Sequence, residues 1–181
     1  MITTARLELR RWRDDDRAPF AAINADPVVM EHFPHPLDRT ASDATIDRLE
    51  AHFAAHSFGL WATARRDTGE LIGFVGLSRP GFDAPFTPCV EIGWRLARAA
   101  WGHGFATEAA LAARDYAFSA LALAELVSFT VPANTRSRRV MERIGMTRDP
   151  LGDFDHPWIA EGHPLRRHVL YRLRASALRR D

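Results

Sequence analysis

One local unit, a strand followed by a glycine-containing turn and then a helix, constrains the fold of this chain more than any other feature. Residues 90–96 alternate between apolar and polar side chains, which is typical of a strand with one polar face. Two glycines follow within residues 101–109, and a helix is predicted over 106–120. One stripe of this helix carries small residues that would let it lie close against a sheet: Ala106, Ala110, Ala113 and Ala117.

Periodicity and turn signals predict further strands and helices on both sides of this unit. The predicted strands are 6–10, 60–65, 71–78, 126–131 and 165–173, and the predicted helices are 17–25, 41–56 and 134–144. This order favours an α/β fold with a mixed sheet and helices on both faces. Because 181 residues is an ordinary domain size, one domain over 1–181 is expected.

The composition is ordinary for a globular protein, with 46% hydrophobic and 26% charged residues. The single cysteine, Cys89, excludes an internal disulfide framework and is interpreted as a packing residue. No apolar run approaches the ~20 residues of a membrane span, and residues 1–13 lack a signal-peptide core, so a cytoplasmic location without a membrane partner is expected. A net charge of +1 argues against a nucleic-acid partner.

The turn between the strand and the helix is a candidate phosphate site. Gly102 and Gly104 allow a tight turn and close approach of a ligand, and the N–H groups of the first helical turn would point towards it. An ordinary strand-to-helix turn is the alternative. The turn is neither a dinucleotide motif, because Thr107 stands where the third glycine would be, nor a P-loop, because no lysine follows.

The segments EIGWRL (91–96) and WGHGFATEA (101–109) together resemble motif A of the GNAT acetyltransferases. The segment NTRSRRVMERIGM (134–146) resembles the motif B that follows it in that family. Residues 4–12 and 26–30 are similar to the branch that contains the ribosomal-protein N-acetyltransferases of the RimJ/RimL type. The resemblance therefore covers nearly the whole chain, in the family's order.

This resemblance implies a mostly antiparallel sheet that is splayed open between strands 90–96 and 126–131, with acetyl-CoA in the opening. The pantetheine arm would pair with backbone near Leu96, and Asn134 would hold the cofactor side of the cleft. Ala99 stands where the family has Gln or Arg, so weakened phosphate binding is expected. The pyrophosphate would contact the backbone of Trp101, Gly102, His103, Gly104, Phe105 and Ala106.

Direct attack of an amine on the thioester needs a base and a proton donor for the thiolate. Glu91 is the predicted base, because it lies on the polar face of a strand that would line the cleft; the alternative is a structural carboxylate. Ser137 is the predicted donor, although it could instead bond to its own helix or to the cofactor. Many relatives use a tyrosine here, but neither Tyr116 nor Tyr171 lies at the matching place.

The acceptor site is predicted to lie between two loops, one containing His32 and His35 and the other spanning residues 153–158. Three arginines of the second-motif helix are expected to form a solvated face or to reach a cofactor phosphate: Arg136, Arg139 and Arg143. No metal is expected, because the histidines at 156, 163 and 168 match no helix-borne zinc spacing.

The predicted function is transfer of an acetyl group from acetyl-CoA to a primary amine, either a protein N-terminus or a small molecule. The alternative is a CoA-binding sensor or interaction domain with weakened catalysis. A monomer or a homodimer is expected.

Overall fold

A single sheet organises the part of the chain that the computed structural model describes, residues 1–177. Its strands are β1 Ile2–Thr3, β2 Leu7–Arg10, β3 Leu60–Arg65, β4 Leu71–Ser78, β5 Glu91–Leu96, β6 Glu125–Thr130, β7 Thr147–Asp155 and β8 Arg167–Arg174. The α-helices are α1 Arg17–Ala25, α2 Arg39–His56, α3 Phe105–Ser119 and α4 Thr135–Arg143. The predicted elements are all present, with ends that differ by one or two residues.

The strand order is β1-β2-β3-β4-β5-β6-β8-β7, and every neighbouring pair is antiparallel except β5 and β6. The parallel pair has one aligned position, Glu91 opposite Val127, where the Val127 N–H donates to the Val90 carbonyl over 3.0 Å. Beyond this point the two strands are not paired. The sheet is therefore splayed open at its middle, as the resemblance implies.

The helices cover both faces of the sheet because each presents an apolar stripe to it. In α3, Ala110, Ala113 and Ala117 of the predicted small stripe are completely buried, whereas Ala106 in the first turn is only half-buried. On the other face, Phe20 of α1 packs edge-on against Phe74 of β4 with ring centroids 6.0 Å apart. Small side chains thus bring α3 close to the sheet, and larger ones hold α1 further away.

Periodicity gave no position for two of the strands, β1 and β7, and both lie at edges of the sheet. Strand β1 is only two residues long, and β7 contains Pro150 and Gly152 and shifts its register against β8 between Asp149 and Phe154. Leu151, in the shifted part, is 99% exposed. Because an irregular edge strand shows no regular alternation, periodicity does not reveal it.

Candidate active site

The predicted phosphate turn has the backbone geometry that such a site needs. Gly102 and Gly104 have φ values of +80° and +78°, in the left-handed region that favours glycine. Within residues 1–177, no acceptor is found for the N–H groups of residues 102 to 107. The Trp101 indole fixes the start of the turn by donating from Nε1 to the Leu96 carbonyl over 2.9 Å. The turn therefore offers a row of free donors at the N-terminus of α3.

Arg6, which the sequence analysis did not single out, holds this turn from the other end of the chain. Its Nη1 donates to the His103 carbonyl over 3.0 Å, and its guanidinium lies 4.6 Å from the Phe105 ring centroid. Its Nε donates over 2.6 Å to Glu108, the acidic residue in the first turn of α3. Thr4 also donates to this carboxylate over 2.6 Å. Arg6 thus braces the turn and neutralises a carboxylate that would otherwise repel a phosphate.

The edge of β5 that faces the opening has unpaired backbone groups. The Ala97 N–H donates to the Ile72 carbonyl over 2.8 Å, so Ala97 is in a hydrogen-bonded position of the β4–β5 pair. Because hydrogen-bonded and non-hydrogen-bonded positions alternate along an antiparallel pair, the backbone N–H and C=O groups of Trp94 and Leu96 point away from β4. The Leu96 carbonyl is already the acceptor for the Trp101 indole. Leu96 therefore offers chiefly its N–H to a pantetheine arm, while Trp94 offers both groups.

Asn134 caps α4. Its Oδ1 accepts from the Ser137 N–H over 3.1 Å, and its Nδ2 donates to Thr130 Oγ1 over 3.0 Å. One amide hydrogen remains for a ligand. Ser137 is half-buried on the face of α4 that also carries the buried Met141, and its hydroxyl has no hydrogen-bond partner within the described residues. That hydroxyl is free to donate.

Glu91 lies where the sheet begins to open, since it is the one residue of β5 aligned with β6. Ser78 Oγ donates to its Oε2 over 3.3 Å. Burial raises the pKa of Glu91 to about 7, and the bond from Ser78 opposes that shift only in part. Glu91 is only partly buried as a residue and lines a cavity, so a molecule bound in that cavity can reach it. A carboxyl group with this pKa can accept and release a proton near neutral pH.

A cavity of about 340 Å³ opens onto Glu91. Of residues 153–158, which were predicted as one loop, the first three belong to β7, and His156 and Trp158 contribute aromatic rings to the cavity wall. His32 and His35 of the other predicted loop do not line this cavity: His32 Nε2 lies 2.9 Å from Glu31 and His35 Nδ1 lies 3.0 Å from the Pro36 carbonyl, and their place in the acceptor site stays a prediction. Helix α2 and the segment after β4 supply the wall instead. The leucine, aromatic and histidine members of the lining are Leu49, His52, Leu60, Phe82, Phe129, His156 and Trp158.

Arg136 is exposed but has partners within the protein. It donates to Glu31 over 2.8 Å and lies over the Trp101 ring at 4.4 Å from its centroid, so it ties α4 to the loop after α1 and to the phosphate turn. Arg139 and Arg143 are exposed, as a solvated face requires.

The other groups considered from the sequence have structural roles. The Tyr171 hydroxyl accepts from Arg138 Nε and donates to Glu142, each over 3.1 Å, and the Tyr116 ring packs edge-on against Trp61. Burial raises the pKa of the Cys89 thiol to about 11, so the thiolate needed for attack on an acetyl group is not available at neutral pH.

Within residues 1–177, no three His, Cys, Asp or Glu side chains come together as a metal site would require. In the same residues no helix combines the length and the apolar character of a membrane span.

Comparison with known proteins agrees with this geometry. Residues 6–147 match the family model described as an acetyltransferase (GNAT) domain. The uncharacterized protein YkkB of Bacillus subtilis is 31% identical over 146 residues, which make up 80% of this chain and 84% of YkkB.

Solved structures share the fold. An acetyltransferase from Agrobacterium tumefaciens has a TM-score of 0.76 and 31% identity, with 95% of this chain and 92% of that chain covered. RimJ of Mycobacterium smegmatis, solved in complex with CoA-disulfide, has a TM-score of 0.74 and 23% identity, with 97% and 85% covered. The family match and the YkkB identity together establish that this chain belongs to the GNAT family and is an acetyl-CoA-dependent acetyltransferase.

Proposed function

We propose that this protein transfers the acetyl group of acetyl-CoA to a primary amine by direct attack, with Glu91 as the base and Ser137 as the proton donor. The observation that carries the proposal is the position of Glu91. Its carboxyl group lies where β5 and β6 part, opens into the cavity, and has a pKa of about 7. A group placed there meets both the thioester in the sheet opening and an amine in the cavity.

The chemistry follows from these positions. An alkylamine with a pKa of about 10 is protonated at neutral pH and must lose a proton before it can attack. The Glu91 carboxylate takes this proton, directly or through a water molecule. The nitrogen then forms a bond to the thioester carbonyl carbon, loses its second proton to solvent, and the carbon–sulfur bond breaks. The departing thiolate takes the Ser137 hydroxyl proton, and solvent returns a proton to Ser137.

The proposed cofactor contacts are backbone groups for the most part. The pyrophosphate would lie on the free N–H groups of the turn that begins at Trp101 and includes Gly102, His103, Gly104, Phe105 and Ala106. The pantetheine arm would pair with Trp94 and Leu96, and the remaining amide hydrogen of Asn134 would face it from α4. The free donors of the turn supply phosphate contacts that Ala99 cannot, so we expect the missing side chain to weaken binding without abolishing it.

Membership of the RimJ/RimL-like branch is also part of this proposal. Its support is the similarity of residues 4–12 and 26–30; the 23% identity to RimJ shows the fold alone. One domain over residues 1–181, a cytoplasmic location, and a monomeric or homodimeric state stay predictions from the sequence.

The test combines binding with turnover. Calorimetry should detect acetyl-CoA binding, and a screen of primary amines should release free CoA and add the mass of one acetyl group to an amine. Acetyl-CoA binding without acetylation of any amine would favour a sensor or interaction domain instead. Absence of acetyl-CoA binding would overturn the proposed cofactor contacts altogether.

A further inference from the structure

One side of the cavity beside Glu91 is formed by a cluster of aromatic side chains. Phe82 lies at its centre, with its ring centroid 4.7 Å from that of His156, 5.4 Å from that of Trp158 and 5.8 Å from that of Phe129. Burial and the neighbouring His168 lower the pKa of His156 to about 4, so at neutral pH it is a flat, uncharged ring. A planar apolar group would find several ring faces and edges in this wall.

Trp158 distinguishes this wall from an ordinary part of the core. Its side chain is 68% exposed, although large aromatic side chains usually lose most of their surface on folding. It stands beside the cavity, in the loop between β7 and β8, with one edge against Phe82. A ligand that stacks on this exposed ring would bury apolar surface that the folded chain leaves open.

The charges around the cavity are uneven. Among the residues that the structure describes, its lining contains one carboxylate, that of Glu91, and two guanidinium groups, those of Arg48 and Arg79. Neither guanidinium forms an ion pair with a carboxylate in the described part of the chain; Arg48 donates to Thr45 over 2.9 Å, and the Arg79 guanidinium lies 6.0 Å from the Phe58 ring centroid. A second ammonium group would therefore meet two cations, while an anionic group would meet two unpaired guanidinium groups.

We propose that the acceptor is an aromatic monoamine that also carries an anionic group such as a carboxylate. This inference rests on the proposed function, since it places the reacting amine at Glu91. The ring contacts the wall formed by Phe82 and Trp158, and the anionic group lies near Arg48 and Arg79. A polyamine fits this charge arrangement poorly, because its second ammonium group finds no carboxylate in the lining.

The test is a matched amine series assayed by CoA release. The series begins with propylamine, and phenethylamine adds an aromatic ring. Phenylalanine and 4-(2-aminoethyl)benzoate then add a carboxylate, the first beside the amine and the second on the ring. Spermidine is the polyamine comparison. We expect the ring to raise kcat/KM over propylamine, and at least one carboxylate to raise it again about fivefold or more at low salt. A preference for spermidine, or no gain in kcat/KM from either carboxylate, would overturn the inference.

Variants assign the preference to residues. Arg48→Gln and Arg79→Gln should remove most of the carboxylate gain, so that kcat/KM for the amine with the preferred carboxylate falls towards the value for phenethylamine measured with the same variant. Trp158→Ala should lower the affinity for both aromatic amines, and Trp158→Phe should restore part of it. The control is Arg174→Gln, which removes an exposed arginine outside the cavity that pairs with Glu125. If the control changes the preference as much as Arg79→Gln does, the assignment is wrong.

A binding measurement separates failure of this inference from failure of the proposed function. Calorimetry of 4-(2-aminoethyl)benzoate against the CoA-loaded protein reports the site without any turnover. Binding that depends on Arg79 and Trp158, with no acetylation of any amine, would support the ligand class and refute the role of Glu91 in transfer. Turnover of propylamine with no binding preference would support the proposed function and refute the ligand class.

Discussion

Adding one methyl group to the phosphate turn should separate its role in binding acetyl-CoA from its role in folding. Gly102 and Gly104 have φ values of +80° and +78°, and Gly69, in the turn between β3 and β4, has a φ of +75°. An added Cβ would meet nothing within 4 Å at Gly102 or Gly69, and only Arg6 Nη2 at 3.6 Å at Gly104. Gly69→Ala is therefore a matched control, with the same backbone conformation and no site beside it.

The expected magnitudes differ between stability and binding. Alanine in the left-handed region costs about 1–2 kcal/mol, so the three variants should lose similar free energies of unfolding in urea. In the turn, the methyl group would also enter the space in front of the free N–H groups. Loss of one hydrogen bond to a phosphate costs about 1.5–3 kcal/mol, which corresponds to a roughly 10- to 100-fold weaker Kd for acetyl-CoA.

Calorimetry with acetyl-CoA, well below each variant's unfolding temperature, measures this difference. We expect weak binding by Gly102→Ala and Gly104→Ala and normal binding by Gly69→Ala. Equal affinities in all three folded variants would refute the assignment of the pyrophosphate to this turn.

The remaining predictions concern the titration of Glu91, the role of Ser137 as proton donor, and the contacts of Arg6 with the phosphate turn. Burial raises the pKa of Glu91 to about 7, so the folded protein binds this proton more tightly than the unfolded chain does. The free energy of unfolding therefore falls as the pH rises from the ordinary pKa of a glutamate to about 7. Glu91→Gln should therefore raise Tm relative to wild type more at pH 8 than at pH 5, and an equal difference at both pH values would contradict the raised pKa. Ser137→Ala should lower kcat about tenfold with little change in the Kd of acetyl-CoA, because the hydroxyl acts only on the departing thiolate; a change in Kd alone would make it a binding residue. Arg6→Gln should weaken acetyl-CoA binding several-fold, since it frees the Glu108 carboxylate beside the phosphate turn, and the exposed-arginine control Arg174→Gln should not.

Sequence reasoning succeeded where local pattern decides the structure. The alternation in β5, the glycines at 102 and 104 and the alanine stripe of α3 each depend on neighbours within a few residues, so they predicted the strand, the turn and the close-packed helix. The position of Glu91 at the opening of the sheet followed from the family resemblance combined with that strand.

The residues that sequence reasoning missed act over long separations along the chain. Arg6 meets residues 103 and 108 only because β2 and α3 are brought together by the fold, and no local pattern marks it. The cavity wall from α2, including His52, was missed for the same reason. The placement of His32 and His35 in the acceptor site rests on their chemistry alone and stays a prediction; Glu31, in the same loop, accepts a hydrogen bond from Arg136.

The role of Glu91 as the base is the central claim, and the pH dependence of kcat for Glu91→Gln tests it most directly. Glutamine keeps the shape and can still accept the bond from Ser78, but it cannot take a proton. We predict a fall in kcat of roughly 10²- to 10⁴-fold, the usual contribution of general acid–base catalysis, with an unchanged Kd for acetyl-CoA. The wild-type profile should rise through a pKa near 7 that the variant lacks. A folded Glu91→Gln enzyme with wild-type kcat and the same acidic limb would contradict the account and leave Glu91 a structural residue.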